Sequence, residues 1–495
     1  MTTKTLTRSL AAAGTALLLF NACSTNPVTG KKEVSLVSEG QEVAMGKEAD
    51  PQIVAQYGLY ENAALQRFVQ EKGQQMAAVS HRSNLQYQFR VVDSPVLNAF
   101  AIPGGYVYLT RGILAHFNNE AQFAGVLGHE IGHVTARHSA QQQTKATLAQ
   151  VGLIAGVIAS PRFGQYAQQA QQGLSLMFLK FGRDDEREAD RLGVEYASKI
   201  GYDAHQMADF FQTLQREQQK AGGEALPPFL STHPDPGDRY NTVHQLATEW
   251  QQKTPGTQLQ VNREAYLRMI DGIVYGDDPK QGFVENSVFY HPELKFQFPI
   301  PAGWKHQNTP QQVQMAPADG KALLLLTLAP GATLDAAAQQ LVQRYQLQVV
   351  ESRSTSINGL PALVLVADQV PQQQGQPGAP QQAAAQPTAR TLLHLIRYGE
   401  ANYVLLGASS PQDFAAYAPQ FSSTAQGFRT LADPEKLGRQ PERVRVKTLK
   451  LRSSLAEALR ANGVPEARLE EMAILNGMQL NERVDAGSLI KVVAK

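Results

Sequence analysis

The sequence contains a single cysteine in 495 residues. One thiol cannot form an intramolecular disulfide, and no cysteine cage for zinc or an iron–sulfur cluster is available, so any metal must be held by His, Asp or Glu. An excess of either charge is also missing. Lys+Arg total 45 and Asp+Glu total 44, for a formal net charge of +1. Without a positive field, nucleic acid is excluded as an expected partner. No apolar run is long enough to cross ~30 Å of hydrocarbon as a helix. The longest candidates are Leu10–Phe20 and Thr147–Ala159, and the second is interrupted by Gln150. We read the second as a buried core helix, with interfacial membrane contact as the alternative. Apolar residues as a class are not scarce: 43% of the chain is hydrophobic and 18% charged. That balance supports sizeable cores, and at ~150 residues per domain the length suggests roughly three of them.

The N-terminus has the form of a secretory signal. Lys4 and Arg8 precede the short apolar stretch Leu10–Phe20. Cys23 follows Ala22 at the expected cleavage point, which resembles a bacterial lipoprotein signal over residues 1–22 with Cys23 acylated. The alternative is an ordinary cleaved signal. Acyl chains would anchor the protein to a membrane without spanning it. Ser24, in place of an acidic residue, resembles sorting to the outer membrane. Residues 23–34 would then serve as a tether.

The expected fold class is α+β. Tyr87–Val92, Leu97–Ala101 and Tyr106–Leu109 read as strands, the last two joined at Pro103-Gly104-Gly105, and residues 119–250 are mostly helical in period. This mainly helical domain with a short sheet is expected over residues 35–262. Residues 283–431 alternate strand and helix patterns and read as a small α/β domain, interrupted by a Gln/Pro-rich segment, 371–387, expected to be disordered. Residues 442–495 read as a third unit in β-α-α-β order. It resembles a LysM module, and the resemblance implies binding to peptidoglycan. A packing role without a glycan site is the alternative.

The strongest chemical signal is Gly128-His129-Glu130-Ile131-Gly132-His133. On a helix, positions i and i+4 share a face, so both imidazoles reach one ion. Glu130 stands beside that site and can take a proton from an attacking water without occupying a coordination position. Gly128 and Gly132 are costly inside a helix and imply close approach by another backbone or a substrate. A catalytic zinc site needs a third protein ligand. His138 lies ~140° around a continuing helix from His133 and cannot supply it. Glu186 and Asp190, i and i+4 on a second helical pattern, can supply a third ligand and an acceptor that orients a ligand imidazole. The competing reading is a solvated acidic face balanced by Arg183, Arg187 and Arg191.

HEIGH followed about fifty residues later by Glu186-x-x-Ala189-Asp190 resembles the metallopeptidase family that includes CAAX prenyl proteases, HtpX-type and BepA-type proteases. Asn98-Ala99-Phe100-Ala101, Pro103-Gly104-Gly105 and Leu230-Ser231-Thr232-His233-Pro234 with Arg239 match further family positions. The resemblance implies a zincin-type domain of the gluzincin kind. It would bind one Zn2+ through His129, His133 and Glu186, with Glu130 and His233 catalytic. His233 would donate to the oxyanion or act as a fourth ligand that substrate displaces. Asp190 would orient a ligand; Asn98, Ala99 and Arg239 would bind substrate, the first two by strand pairing. The expected activity is a zinc endopeptidase of the bacterial periplasm, held at the outer membrane through Cys23 and acting on unfolded or misassembled envelope proteins. A peptidoglycan-tethered chaperone or scaffold with latent or structural zinc is the alternative. His116, His138, His205 and His244 are read as residues without a site role.

Overall fold

The computed structural model describes residues 23–147, 181–220, 228–233, 236–253, 255–256, 258–370 and 387–495. The signal segment 1–22, most of the apolar stretch Thr147–Ala159, Pro234 and nearly all of the Gln/Pro-rich insert lie outside these residues. Two compact units emerge, one of residues 1–276 with 442–495 and one of residues 277–441.

In the first unit the expected tether is partly structured. Cys23–Thr25 and Lys32–Val34 pair as an antiparallel ribbon. Helices α1 (Glu39–Tyr57) and α2 (Ala63–Ala78) follow, capped by the side chains of Ser38 and Asn62. Strands β1 (Gln88–Val92), β2 (Ala99–Ile102) and β3 (Tyr106–Thr110) form a sheet in the order β1-β3-β2, with β2 outermost. The β2–β3 hairpin turns at Gly104 and Gly105, whose φ values of 86° and 90° require residues without a Cβ. Then come α3 (Arg111–His116), α4 (Glu120–Thr135), α5 (Arg183–Lys199), α6 (His205–Lys220), α7 (Pro228–Thr232), α8 (Pro236–Lys253) and α9 (Arg263–Ile270). Asn119 caps α4, its side chain accepting from Gln122 N at 2.8 Å. Every residue of α4 is buried.

Glycines bring α4 and α5 together. A Cβ on Gly128 would sit 2.9 Å from Gly193 O, and one on Gly132 would sit 3.1 Å from Ala189 O. The close backbone expected from these two glycines is therefore α5, the helix that carries Glu186 and Asp190.

The expectation of a separate third unit is corrected. The β-α-α-β order is present, as β5 (Glu442–Thr448), α12 (Leu455–Ala461), α13 (Leu469–Leu475) and β6 (Leu489–Ala494), where α10 and α11 belong to the second unit below and β4 is Val274–Tyr275. However, β5 pairs with β4 as well as with β6, and the tail shares one hydrophobic core with the helices and sheet of the first unit. Lys491, fully buried, donates from Nζ to the carbonyls of Ala115 (2.8 Å) and Phe117 (3.0 Å) at the end of α3. Arg216 and Arg263 add hydrogen bonds to the carbonyls of Met478 and Leu489.

The second unit holds a seven-stranded sheet that is antiparallel throughout. Its order is Lys305–Thr309, Gln312–Ala316, Ala322–Leu328, Ala401–Ser409, Ala389–Tyr398, Leu360–Gln369, Leu347–Ile357. The α/β expectation is thus corrected to α+β: hairpins, not crossover helices, join most neighbours. One hairpin turns at Asn358-Gly359, both in the left-handed region. Helices α10 (Leu334–Arg344) and α11 (Phe414–Gln426) cover opposite faces. Leu341 packs with Leu363 and Leu365, and Phe421 packs in the cluster of Ala362 and Val364. With both faces covered, these strands read as continuous apolar runs, and alternation is lost.

Candidate metal centre

The i,i+4 spacing on α4 places His129 and His133 with their Nε2 atoms 3.0 Å apart. Glu186 arrives from α5, with Oε1 3.4 Å from His133 Nε2 and Oε2 3.6 Å from His129 Nε2. His233, at the end of α7, brings Nδ1 to 2.9 Å from Glu186 Oε1 and 3.2 Å from His129 Nε2. One ligand atom from each of these four residues lies within 4.8 Å of the others, and all four residues are buried. The second-helix carboxylate expected from the sequence therefore reaches both imidazoles.

Around this group, Asp190 Oδ1 lies 2.9 Å from His129 Nδ1. Arg239 donates to the same carboxylate from Nε at 2.8 Å and from Nη2 at 2.6 Å. Its Nη1 lies 3.1 Å from Glu186 Oε2, an ion-pair distance without hydrogen-bond alignment. Arg239 was expected to bind substrate; the structure places it, 5% exposed, as the counter-ion of two buried carboxylates. Phe181 stacks on His133 with ring centroids 4.1 Å apart, and Phe229 stacks on His233 at 4.6 Å. Neither aromatic carries a motif that would have marked it in the sequence.

Glu130 is fully buried, and among the described residues neither of its carboxylate oxygens has a hydrogen-bond partner. Among those residues, His233 Nε2 lies 3.7 Å from its Oε1. Burial is the main force on the Glu130 carboxyl and pushes it above the ordinary glutamate range, against the pull of His233 and His129. Burial also tends to raise Glu186, but His233 and the hydrogen bonds from His133 and His233 outweigh it and hold that carboxyl well below its usual range. The same contest at Asp190 is won by Arg239 and His129, and its carboxyl is lowered. Burial holds His133 well below the ordinary imidazole value.

Donor chemistry tests whether a metal fits. Asp190 as a carboxylate can only accept, so His129 carries its proton on Nδ1 and presents a bare Nε2. That lone pair faces His133 Nε2 and a carboxylate in a site closed to water. A divalent cation is the group that satisfies two imidazole nitrogens and one carboxylate oxygen together, and nitrogen and oxygen donors suit zinc.

Asn98 and Ala99 do not join this cluster. Asn98 precedes and Ala99 begins the outer strand β2, and Asn98 O already accepts from Thr110 N while Leu97 O accepts from Phe229 N. Asn98 Oδ1 is buried without a partner among the described residues. Among the histidines read as having no role, His138 stands against His133 at 2.9 Å, Nδ1 to Nδ1.

Comparison with known proteins agrees with the geometry. The family model described as Peptidase family M48 matches residues 63–247. The chain is 31% identical over 235 residues to the beta-barrel assembly-enhancing protease of Yersinia pestis, covering 45% of this chain and 47% of that protein. The corresponding protein of Escherichia coli (strain K12) is 31% identical over 239 residues, covering 46% and 48%. The mitochondrial metalloendopeptidase OMA1 of Arabidopsis thaliana is 30% identical over 207 residues, covering 41% and 40%. The matched part spans less than half the length of each of these relatives. The matched region contains α4, α5 and His233, so residues 63–247 are similar to the domain of peptidase family M48, and the buried His129–His133–Glu186–His233 group could hold the zinc that such enzymes use.

Proposed function

We propose that this protein is a zinc endopeptidase of the bacterial cell envelope that cleaves unfolded or misassembled periplasmic and outer-membrane proteins. The observation that carries the reading is the convergence of two bare imidazole nitrogens and the Glu186 carboxylate beside the unpartnered carboxylate of Glu130. Zinc held there would supply a Lewis acid and render a water acidic near neutral pH. Glu130, raised by burial, takes the proton from the attacking water and delivers it to the leaving amine. Asp190, braced by Arg239, keeps the His129 ring oriented with Nε2 toward the ion. His233, with Nδ1 among the metal donors and Nε2 toward Glu130, supports a closed state in which it fills a fourth position; released by substrate, it is placed to donate to the developing oxyanion.

The four candidate donors are at most 2% exposed, so α7 and the ring of Phe181 must shift before a peptide enters. The outer strand β2, preceded by Asn98 and beginning at Ala99, supports recognition of extended backbone, which reads side chains weakly and suits unfolded substrates. The names of the bacterial relatives, which refer to β-barrel assembly, point to envelope substrates. Acylation of Cys23 would anchor the chain at the outer membrane, and among the described residues no helix is long and apolar enough to cross a membrane. Peptidoglycan contact by residues 442–495 would hold the enzyme near the wall.

The test is Glu130→Gln in the full chain. It is expected to retain one zinc per chain, by metal analysis, while casein cleavage falls to background. Cleavage at the wild-type rate would overturn the proposal.

A further inference from the structure

Spacing alone gives His138 no role, because five residues after His133 on a continuing helix it would point away. The helix does not continue. α4 ends at Thr135, Ala136 and Arg137 form a turn, and a new helix starts at His138. Arg137 has φ of 60°, the left-handed region. Its side chain is held there by Glu42 and by the Val37 carbonyl, to which Nη2 donates at 2.6 Å. Arg82 binds Glu42 at 2.9 Å and the Val134 carbonyl at 3.0 Å, fixing the last turn of α4 on the same side.

The turn folds His138 back onto the metal helix. Its Nδ1 lies 2.9 Å from His133 Nδ1, with the rings tilted by 72°. His138 is 1% exposed. Its other nitrogen, Nε2, lies 3.4 Å from Oε2 of Glu188 on α5, a carboxylate partly open to solvent.

Proton counting fixes the direction of this chain. Two facing nitrogens share a hydrogen bond only if one carries the proton and the other is bare. His133 Nε2 faces Glu186 and His129, so as a metal ligand it is bare and the ring proton sits on Nδ1. His138 must then accept at Nδ1 and carry its own proton on Nε2, where Glu188 is the acceptor among the described residues. We propose that His138 is a positioning residue for the metal site, accepting from His133 and passing the hydrogen-bond chain to Glu188. The two ligand imidazoles are thus oriented differently. His129 is held by a buried carboxylate with its own arginine, and His133 by an imidazole backed by a carboxylate partly open to solvent.

The inference rests on the metal site proposed above, and its test separates the two. Zinc content of the wild type is the control: a wild type without zinc removes the site itself. In the zinc-loaded wild type at constant pH, 15N-labelled histidine spectra are expected to show His133 protonated at Nδ1 and His138 protonated at Nε2 alone. A proton on His138 Nδ1 overturns the relay and leaves the site intact. The second arm is zinc affinity by chelator competition. His138→Leu keeps bulk but has no acceptor, and is expected to weaken zinc 10–100-fold, the usual cost of losing a partner that orients a ligand. His138→Asn places its Oδ1 where Nδ1 was and is expected to retain wild-type affinity. Wild-type affinity in His138→Leu, or equal loss in both variants, would mean that His138 only fills space.

Discussion

His129 Nδ1 and Asp190 Oδ1 lie 2.9 Å apart, and Arg239 holds the same carboxylate through two donors. Removing Asp190 therefore does two things. It frees the His129 ring, and it leaves a buried guanidinium beside Glu186, 3.1 Å away and needed by the metal, with Glu130 farther off. Asp190→Ala is expected to lose about 3–5 kcal/mol of stability, because one partner of a buried pair is left uncompensated. Zinc affinity should fall about 10–100-fold. Thermal melting and chelator competition measure the two effects separately. An Asp190→Ala protein with unchanged zinc affinity would contradict this assignment.

Gly128 faces Gly193 across the contact between α4 and α5. A methyl group there would meet Gly193 O at 2.9 Å and Met76 Sδ at 3.1 Å. Alanine gains about 1 kcal/mol of helix propensity over glycine. Forcing an atom against the backbone of a packed helix costs about 1–3 kcal/mol, and a carbonyl cannot swing aside as a side-chain tip can. The clash should win. Gly128→Ala is expected to lower the denaturant midpoint at unchanged slope and to weaken zinc, because spreading the helices separates Glu186 from the imidazoles. A more stable protein with intact zinc binding would show that the helices can part freely.

Burial, with a smaller push from Arg353, lowers His394 in the second unit from 6.5 to about 4. Its folded value lies below its unfolded value, so between the two the unfolded chain binds more protons. The neutral, buried ring costs no stability above pH 6.5, and stability is lost as pH falls from 6.5 toward 4. The full difference corresponds to about 3 kcal/mol. His291, also lowered to about 4 by burial, adds a loss of the same sign. His394→Leu should therefore lose less stability than wild type between pH 7 and pH 4.5. Guanidinium unfolding of the second unit at the two pH values checks this; equal losses would exclude His394 as a source.

Lys491 joins the C-terminal segment to the end of α3 by donating to the Ala115 and Phe117 carbonyls, with His116 O at 3.4 Å. Lys491→Met keeps much of the stem but leaves buried acceptors without a donor, at about 1–3 kcal/mol. Amide exchange in residues 442–495 and in α3 should rise together, because the two share this contact. Faster exchange in the tail alone would mean that the tail folds independently of the peptidase part.

The readable part of the site was local. His129 and His133 share a face because i and i+4 always do on a helix, and Glu186 and Asp190 share one for the same reason. The Pro103-Gly104-Gly105 turn and the tail's order of elements likewise depend on neighbours in sequence. The antiparallel arrangement of the second unit was less legible. Its strands are covered on both faces, so the alternation that marks a half-buried strand is missing from Leu360–Gln369 and Ala389–Tyr398.

What the sequence alone determined, then, is each pair of site residues on its own helix and the chemistry those residue types permit. Only the tertiary structure decided that α4 and α5 meet at Gly128, Gly132 and Gly193, that Arg239 serves Asp190, and that Lys491 seals the tail onto α3. It also decided that an arginine at position 137 turns left-handed. Arginine carries no local preference for that turn, and residues far off in the chain, Glu42 and Val37, hold it there. Periodicity reports only interactions along one element, whereas contacts between elements depend on which surfaces bury each other in the folded chain.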